Sequence, residues 1–270
     1  MGKEKLSLKK RLKTMLAVDT RRMFVSPLFY ILVGISFVVP ILILVMTTMM
    51  DGMVTTNPQT GLAGEPMKGF DYVWQILGSV SGNSTQSPQG MSMDLVSMCN
   101  INMMFFMIAV FVCLFICEDF RSGYAKNLFT VRSNKIDYVM SKTIVGFICS
   151  ACMFIAFFLG ALIGGGVSGL PFMGTGFNVG NIILCLLSKI FLTLVFVAIF
   201  TLASVIAKQK TWLALILSLA ISMLLFNIAP MVSPLNSGIL NVIFSLIGGI
   251  IFAIGLGLIS NVILKKTSLV

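Results

Sequence analysis

Long apolar runs, separated by short charged stretches, decide what this chain can fold into. Residues 28–50 contain no charged side chain, and comparable runs cover about residues 95–117, 143–166, 181–207, 212–229 and 239–264, interrupted inside only by Lys189. A helix needs about 20 predominantly apolar residues to cross the hydrocarbon of a bilayer. There it must satisfy every backbone polar group internally. The runs therefore predict an all-α membrane protein with six transmembrane helices in one domain, residues 1–270, and no soluble domain. Composition agrees, since 57% of the residues are hydrophobic and 10% charged, against about 25% charge in a soluble domain.

The remaining segments carry their own signals. Residues 1–22 hold eight Lys or Arg. On a helix over residues 1–25, Leu8, Leu12, Met15 and Leu16 share a face and Lys9, Lys10 and Lys13 point away, as in an amphipathic helix lying on anionic lipid. Asp19 falls in the apolar arc and breaks the pattern. The alternative is a disordered basic tail that only sets topology. No small-residue cleavage site follows the first run, so the first span is expected to be uncleaved. Pro40 predicts a kink in it. Residues 51–94 read as an outer loop in which residues 70–77 form a short interfacial helix anchored by Tyr72 and Trp74. Asn83-Ser84-Thr85 fits a glycosylation pattern that also arises by chance. Gly164-Gly165-Gly166 reads as a helix breaker. Pro230 and Pro234 interrupt residues 227–241, which suits a pair of short re-entrant helices. In the last span Ser245, Gly249, Ala253 and Gly257 form a small-residue row for close helix packing, within the subunit or against a second one.

Charge placement orients the chain. With both termini inside, 17 of the 19 Lys and Arg lie on the cytoplasmic side, as the positive-inside distribution requires. The net charge of +10 is thus a topology signal, and no nucleic-acid partner is needed.

Several chemistries are excluded. The chain has no His, so histidine-based hydrolysis and histidine-ligated metals are ruled out. All six Cys lie in or beside apolar runs and read as packing residues. No metal site is expected, no phosphate-binding loop is present, and the chain is not expected to be an enzyme. No acid lies deep in a span, which argues against ion-coupled transport. Lys189 is the exception among the cations. It either snorkels to the interface or to backbone carbonyls, or faces a water-accessible cavity and contacts substrate. Met103, Met104, Phe105 and Phe106 read as core packing or, alternatively, as an adaptable surface for apolar ligands.

Residues 118–142 form a polar island between the second and third spans, with three acids and five Lys or Arg. Its charge places it in water, where it would serve as a handle for a soluble motor or, alternatively, as a solvated loop that binds lipid. The island resembles the coupling region of permease subunits of type-2 ABC exporters, the group that includes antibiotic-resistance, lantibiotic-immunity and peptide-export permeases. Asp119 and Gly123 have the family's spacing, and Lys135 and Lys142 stand for its basic residue and final lysine. The family's turn proline is missing, with Val131 near its place. The resemblance extends to the surface helix, the six spans and the broken segment before the last.

The resemblance implies that Lys135, Ile136, Asp137, Tyr138 and Val139 form a cytoplasmic coupling helix seated in a groove of a separate ABC ATPase. Two such ATPases would bind ATP and Mg, and two permease subunits would pair as a homo- or heterodimer in a bacterial cell membrane. Ile136, Tyr138 and Val139 would be the apolar anchors, and Glu118 and Asp119 would pair with Arg121 or with the surface helix. The substrate expected from the Met- and Phe-rich spans is hydrophobic or amphipathic, with antimicrobial or toxin peptides the preferred class. A non-transporting immunity protein, or a permease for drugs, lipids or ions, are the alternatives.

Overall fold

The computed structural model describes residues 8–56, 63–66, 69–78, 100–131, 135–172, 178–226 and 228–266. The sequon at residues 83–85, the first residues of the second expected span and residues 132–134 lie outside them. The order is α1 (Leu8–Val25), α2 (Pro27–Met50), β1 (Val54–Thr56), β2 (Ala63–Pro66), a 3-10 turn (Val73–Leu77), a second (Ile101–Met103), α3 (Met104–Arg121), α4 (Tyr124–Val131), α5 (Ile136–Ser168), α6 (Val179–Ala207), α7 (Thr211–Phe226), α8 (Ala229–Val232) and α9 (Ile239–Lys266).

Five of these segments are long and apolar enough to cross a membrane: α2, α3 with its leading 3-10 turn, α5, α6 and α9. The helix α7 has 16 residues, about 24 Å at 1.5 Å per residue, which falls short of a hydrocarbon core of about 30 Å. The expected pair of re-entrant helices is represented among the described residues by α8 alone, with four residues. The short strands pair antiparallel.

Helices α5 and α6 form the centre. Along α2 the buried residues Phe29, Leu32, Ser36, Pro40 and Leu44 recur every three or four positions and face α5. A β-carbon at Gly160 would fall on the carbonyl oxygen of Phe37, and one at Gly164 would lie 2.9 Å from the α-carbon of Ile41. These glycines let two backbones touch, as small residues do where apolar side chains have no water to escape. The glycine run 164–166 therefore does not break the helix. It continues to Ser168 and stops at Gly169, whose φ of 70° is the left-handed conformation that ends many helices.

The segment expected at the interface, residues 70–77, is packed inward. Phe70, Val73, Trp74, Ile76 and Leu77 are buried, Trp74 stacks on Phe158 with centroids 5.1 Å apart, and the amide of Val73 donates to the carbonyl of Pro171. In α9, Ser245 bonds Ser188 at 2.8 Å. A β-carbon at Gly249 would come within 2.9 Å of Leu194. Gly257 approaches Val139, while Ala253 is half-buried. The small-residue row thus packs α9 onto α6 and α5 of its own subunit, and most of the remaining face of α9 is exposed.

Candidate functional site

The polar island is not a free loop. Glu118 to Arg121 complete α3, Ser122 and Gly123 turn the chain, α4 follows, and Ile136 already opens α5. Gly123 takes φ 76°, a conformation open to glycine and costly for residues with a β-carbon. The turn is fixed by the amide and hydroxyl of Ser122, both donating to the carbonyl of Glu118. Since nothing lies within 4 Å of a β-carbon added at Gly123, Gly123→Ala is expected to cost only the conformational strain. That is about 1–2 kcal/mol, measurable as a small drop in unfolding temperature.

The helix α1 packs across α5 at the basic end of the bundle and brings its charges inside. Asp19, the residue that spoiled the amphipathic pattern, is fully buried. It accepts from Ser141 at 2.6 Å and from the ammonium of Lys142 at 2.8 Å. Lys142 also meets Asp119 at 2.6 Å, and Asp119 meets Arg22 at 2.7 Å and accepts from the hydroxyl of Tyr138 at 3.0 Å. Two acids and two cations therefore close a neutral knot between α1, α3 and α5. Phe115 lies under the ammonium of Lys142 at 4.2 Å and Tyr124 under the guanidinium of Arg22 at 4.3 Å, cation–π contacts that shield both cations. Burial opposes the charge on Arg22, but Asp119 and Asp19 outweigh it and hold its pKa above the ordinary value.

Two further contacts extend this body. Arg11 of α1 meets the buried Asp137 at 3.2 Å. Lys135 donates to the carbonyl of Leu264 at 2.6 Å, capping the last turn of α9 with a cation where the helix dipole favours one. The ends of α1, α3, α5 and α9 are thus fastened together.

This placement changes the roles expected of individual residues. Asp119 pairs with the surface helix instead of Arg121. Asp137, Tyr138, Val139 and Lys142 are buried, because α5 starts earlier than expected and packs against α1. Tyr138 and Val139 therefore offer no anchor on the surface of this subunit, and Ile136 and Lys135 are half-buried. Among the described residues the outward groups of the island are Glu118, Arg121 and Ser122 with Lys126, Asn127 and Thr130 of α4 and Met140 of α5. Sequence reasoning missed Arg11, Arg22 and Ser141. The signal that pointed to them was the misfit of Asp19.

At the far end Lys189 is fully buried. Among the described residues it neither reaches the surface nor bonds backbone carbonyls; its ammonium donates to Asn102 Oδ1 at 3.0 Å and to Ser233 Oγ at 3.1 Å. Met104 and Phe105 are core residues, with Phe105 stacked on Phe196 at 3.9 Å. Phe106 is half-buried near Phe226, and Met103 is exposed. Among the described residues no cluster of acids and cysteines has the makings of a metal site.

No curated protein and no solved structure matches the chain. One family does: the profile described as ABC-2 family transporter protein matches residues 25–227, three quarters of the 270 residues. That span takes in α2 to α7 and the acid, the turn glycine and the lysine around which the island is built. The chain belongs to the ABC-2 family of transporter proteins and is a membrane-spanning permease subunit with no catalytic activity of its own.

Proposed function

We propose that this permease works as the membrane half of an ATP-driven exporter in a bacterial cell membrane. Both termini are cytoplasmic, and the five long apolar segments span the bilayer together with the shorter α7, around which the bilayer thins. A separate ABC ATPase in two copies burns Mg-ATP, and a second permease subunit completes the pore. The observation that carries the reading is the ionic knot. A push on an isolated loop would be absorbed by the loop. Here α4 hangs from α3 and α5, whose ends are tied to α1 and α9, so a push on α4 moves several spans as one body. Such rigid-body motion is how domain transitions are transmitted.

The docking face in this reading is α4, with Lys126, Asn127 and Thr130 outward and Arg121 beside them. The buried residues Asp119, Asp137 and Lys142 stiffen the lever and do not touch the motor. Lys126→Glu is expected to lower recovery of a co-expressed ATPase subunit at least tenfold while leaving the unfolding temperature of the permease within about 1 °C, since surface substitutions change stability little. Equal recovery with Lys126→Glu would remove α4 from the interface. Purification from native membrane without any ATPase would favour a protein that sequesters its ligand without transport.

The substrate class is hydrophobic or amphipathic, with peptides preferred. The spans offer Met, Phe, Leu and Ile with few polar groups, and such surfaces suit varied apolar ligands.

A further inference from the structure

Lys189 has more donors than acceptors. Its ammonium carries three N–H groups, and the structure gives it two neutral oxygen partners, Asn102 and Ser233. Among the described residues no carboxylate pairs with it. The amide nitrogen of Asn102, on the same side-chain head, is itself buried without a partner. Two donors, one on α6 and one on the 3-10 turn that leads into α3, therefore lie side by side and lack an acceptor. A buried charge and a buried amide are retained only where something satisfies them.

An apolar cleft of about 260 Å³ is lined by Leu192, Phe196, Val232, Phe244 and Phe252 among others, and its nearest residue on α6 stands three positions from Lys189, which does not itself line it. Lys189, Leu192 and Phe196 fall at i, i+3 and i+7 on α6, one face of the helix, so the cleft starts roughly 5 Å along the axis from the cation and continues to about 10 Å. Val232 lines the cleft and the next residue, Ser233, holds the ammonium. Gly78 closes the other side, where an added β-carbon would lie 4.0 Å from the ammonium.

We infer that Lys189 and Asn102 form the head-group site of a carboxylate-bearing amphiphile, whose apolar body lies in the cleft. Calling that amphiphile the exported substrate rests on the exporter reading; the binding itself does not. A carboxylate supplies the missing acceptors and neutralises the ammonium, and the cleft takes an apolar chain that needs no hydrogen bonds. Two sources share this chemistry, the free C-terminus of an apolar peptide and a free fatty acid.

The test uses the purified full-length chain in neutral detergent, with unfolding temperature as the readout. The probes are an acetylated apolar tetrapeptide with a free C-terminal carboxylate, the same peptide as its C-terminal amide, and dodecanoate. At ten times its dissociation constant a carboxylate probe is expected to raise the unfolding temperature by roughly 3 °C, with the amide inert. A shift by the peptide acid assigns the site to peptides, and a shift by dodecanoate alone assigns it to fatty acids. Lys189→Gln is expected to abolish the shift. Asn102→Asp places a carboxylate 3.0 Å from the ammonium, so it keeps the fold and fills the site from within, and it too is expected to abolish the shift. Equal shifts by acid and amide, no shift by any probe, or a full shift in Asn102→Asp would overturn the site. No ATPase takes part, so a negative result here leaves the exporter reading standing, and the loss of that reading would leave a positive result here intact.

Discussion

Lys142→Met is expected to unfold the chain roughly 10 °C below the parent, a loss of about 3–5 kcal/mol. The ammonium of Lys142 touches Asp19 at 2.8 Å and Asp119 at 2.6 Å, and all three side chains are fully buried. Methionine fills the volume, so the loss measures charge and not a cavity. Two buried carboxylates would remain with only Arg22 to share, and Arg22 lies 3.8 Å from Asp19. Removing one partner of a buried pair is costly because the other charge stays behind uncompensated. Adding Asp119→Asn to Lys142→Met restores the balance of one acid to one cation and is expected to recover about half of the loss, the non-additivity that marks a direct contact. Additive losses would mean that the two residues act separately. Scanning unfolding in detergent measures both.

Gly160→Ala is expected to destabilise by about 3 kcal/mol, the upper range for overpacking, while Gly166→Ala is expected to be neutral or slightly stabilising. Both glycines sit inside α5, where alanine is the better helix former by about 1 kcal/mol. They differ in what a methyl group meets. At Gly160 it lands on the backbone carbonyl of Phe37 and the ring of Pro40; at Gly166 nothing lies within 4 Å. A side chain can rotate away from a clash, whereas a helix backbone cannot, so α2 must move off α5 along its buried stripe. Equal responses at the two positions would deny the close approach of these helices.

The apolar runs were legible because hydrocarbon imposes one rule on every residue of a span, and α2, α5, α6 and α9 lie where the runs are. What eluded the sequence was use that depends on a partner. Gly164 to Gly166 read as a breaker because glycine serves both turns and close packing, and only the neighbouring helix decides between them. Trp74 read as an interfacial anchor, yet Phe158 takes it inward. Asp19 was visible as a misfit, but its partners Ser141 and Lys142 stand 122 and 123 residues away, a separation no local pattern bridges. For the same reason Lys189 was conspicuous while Asn102 and Ser233, 87 and 44 residues distant, were not. In the island, the family spacing singled out Asp119, Gly123 and Lys142 as parts of the coupling region, and of the two partners expected for Asp119 the surface helix is the one it meets, through Arg22. Burial turns Asp119 and Lys142 into internal ties and leaves α4 as the outward surface.

Site-directed cross-linking reaches the central claim most directly. With the six native cysteines replaced, Lys126→Cys on α4 and, as a far-end control, Val179→Cys on α6 are each introduced and the permease is co-expressed with the ABC ATPase subunit that co-purifies with it. A short thiol cross-linker is expected to join the α4 position to the ATPase in membranes, with a yield that changes when ATP is added, and to leave the far-end position unjoined. An ATPase that co-purifies but never joins at α4, or an α4 cysteine that reacts with an impermeant reagent applied outside intact cells, would contradict the account.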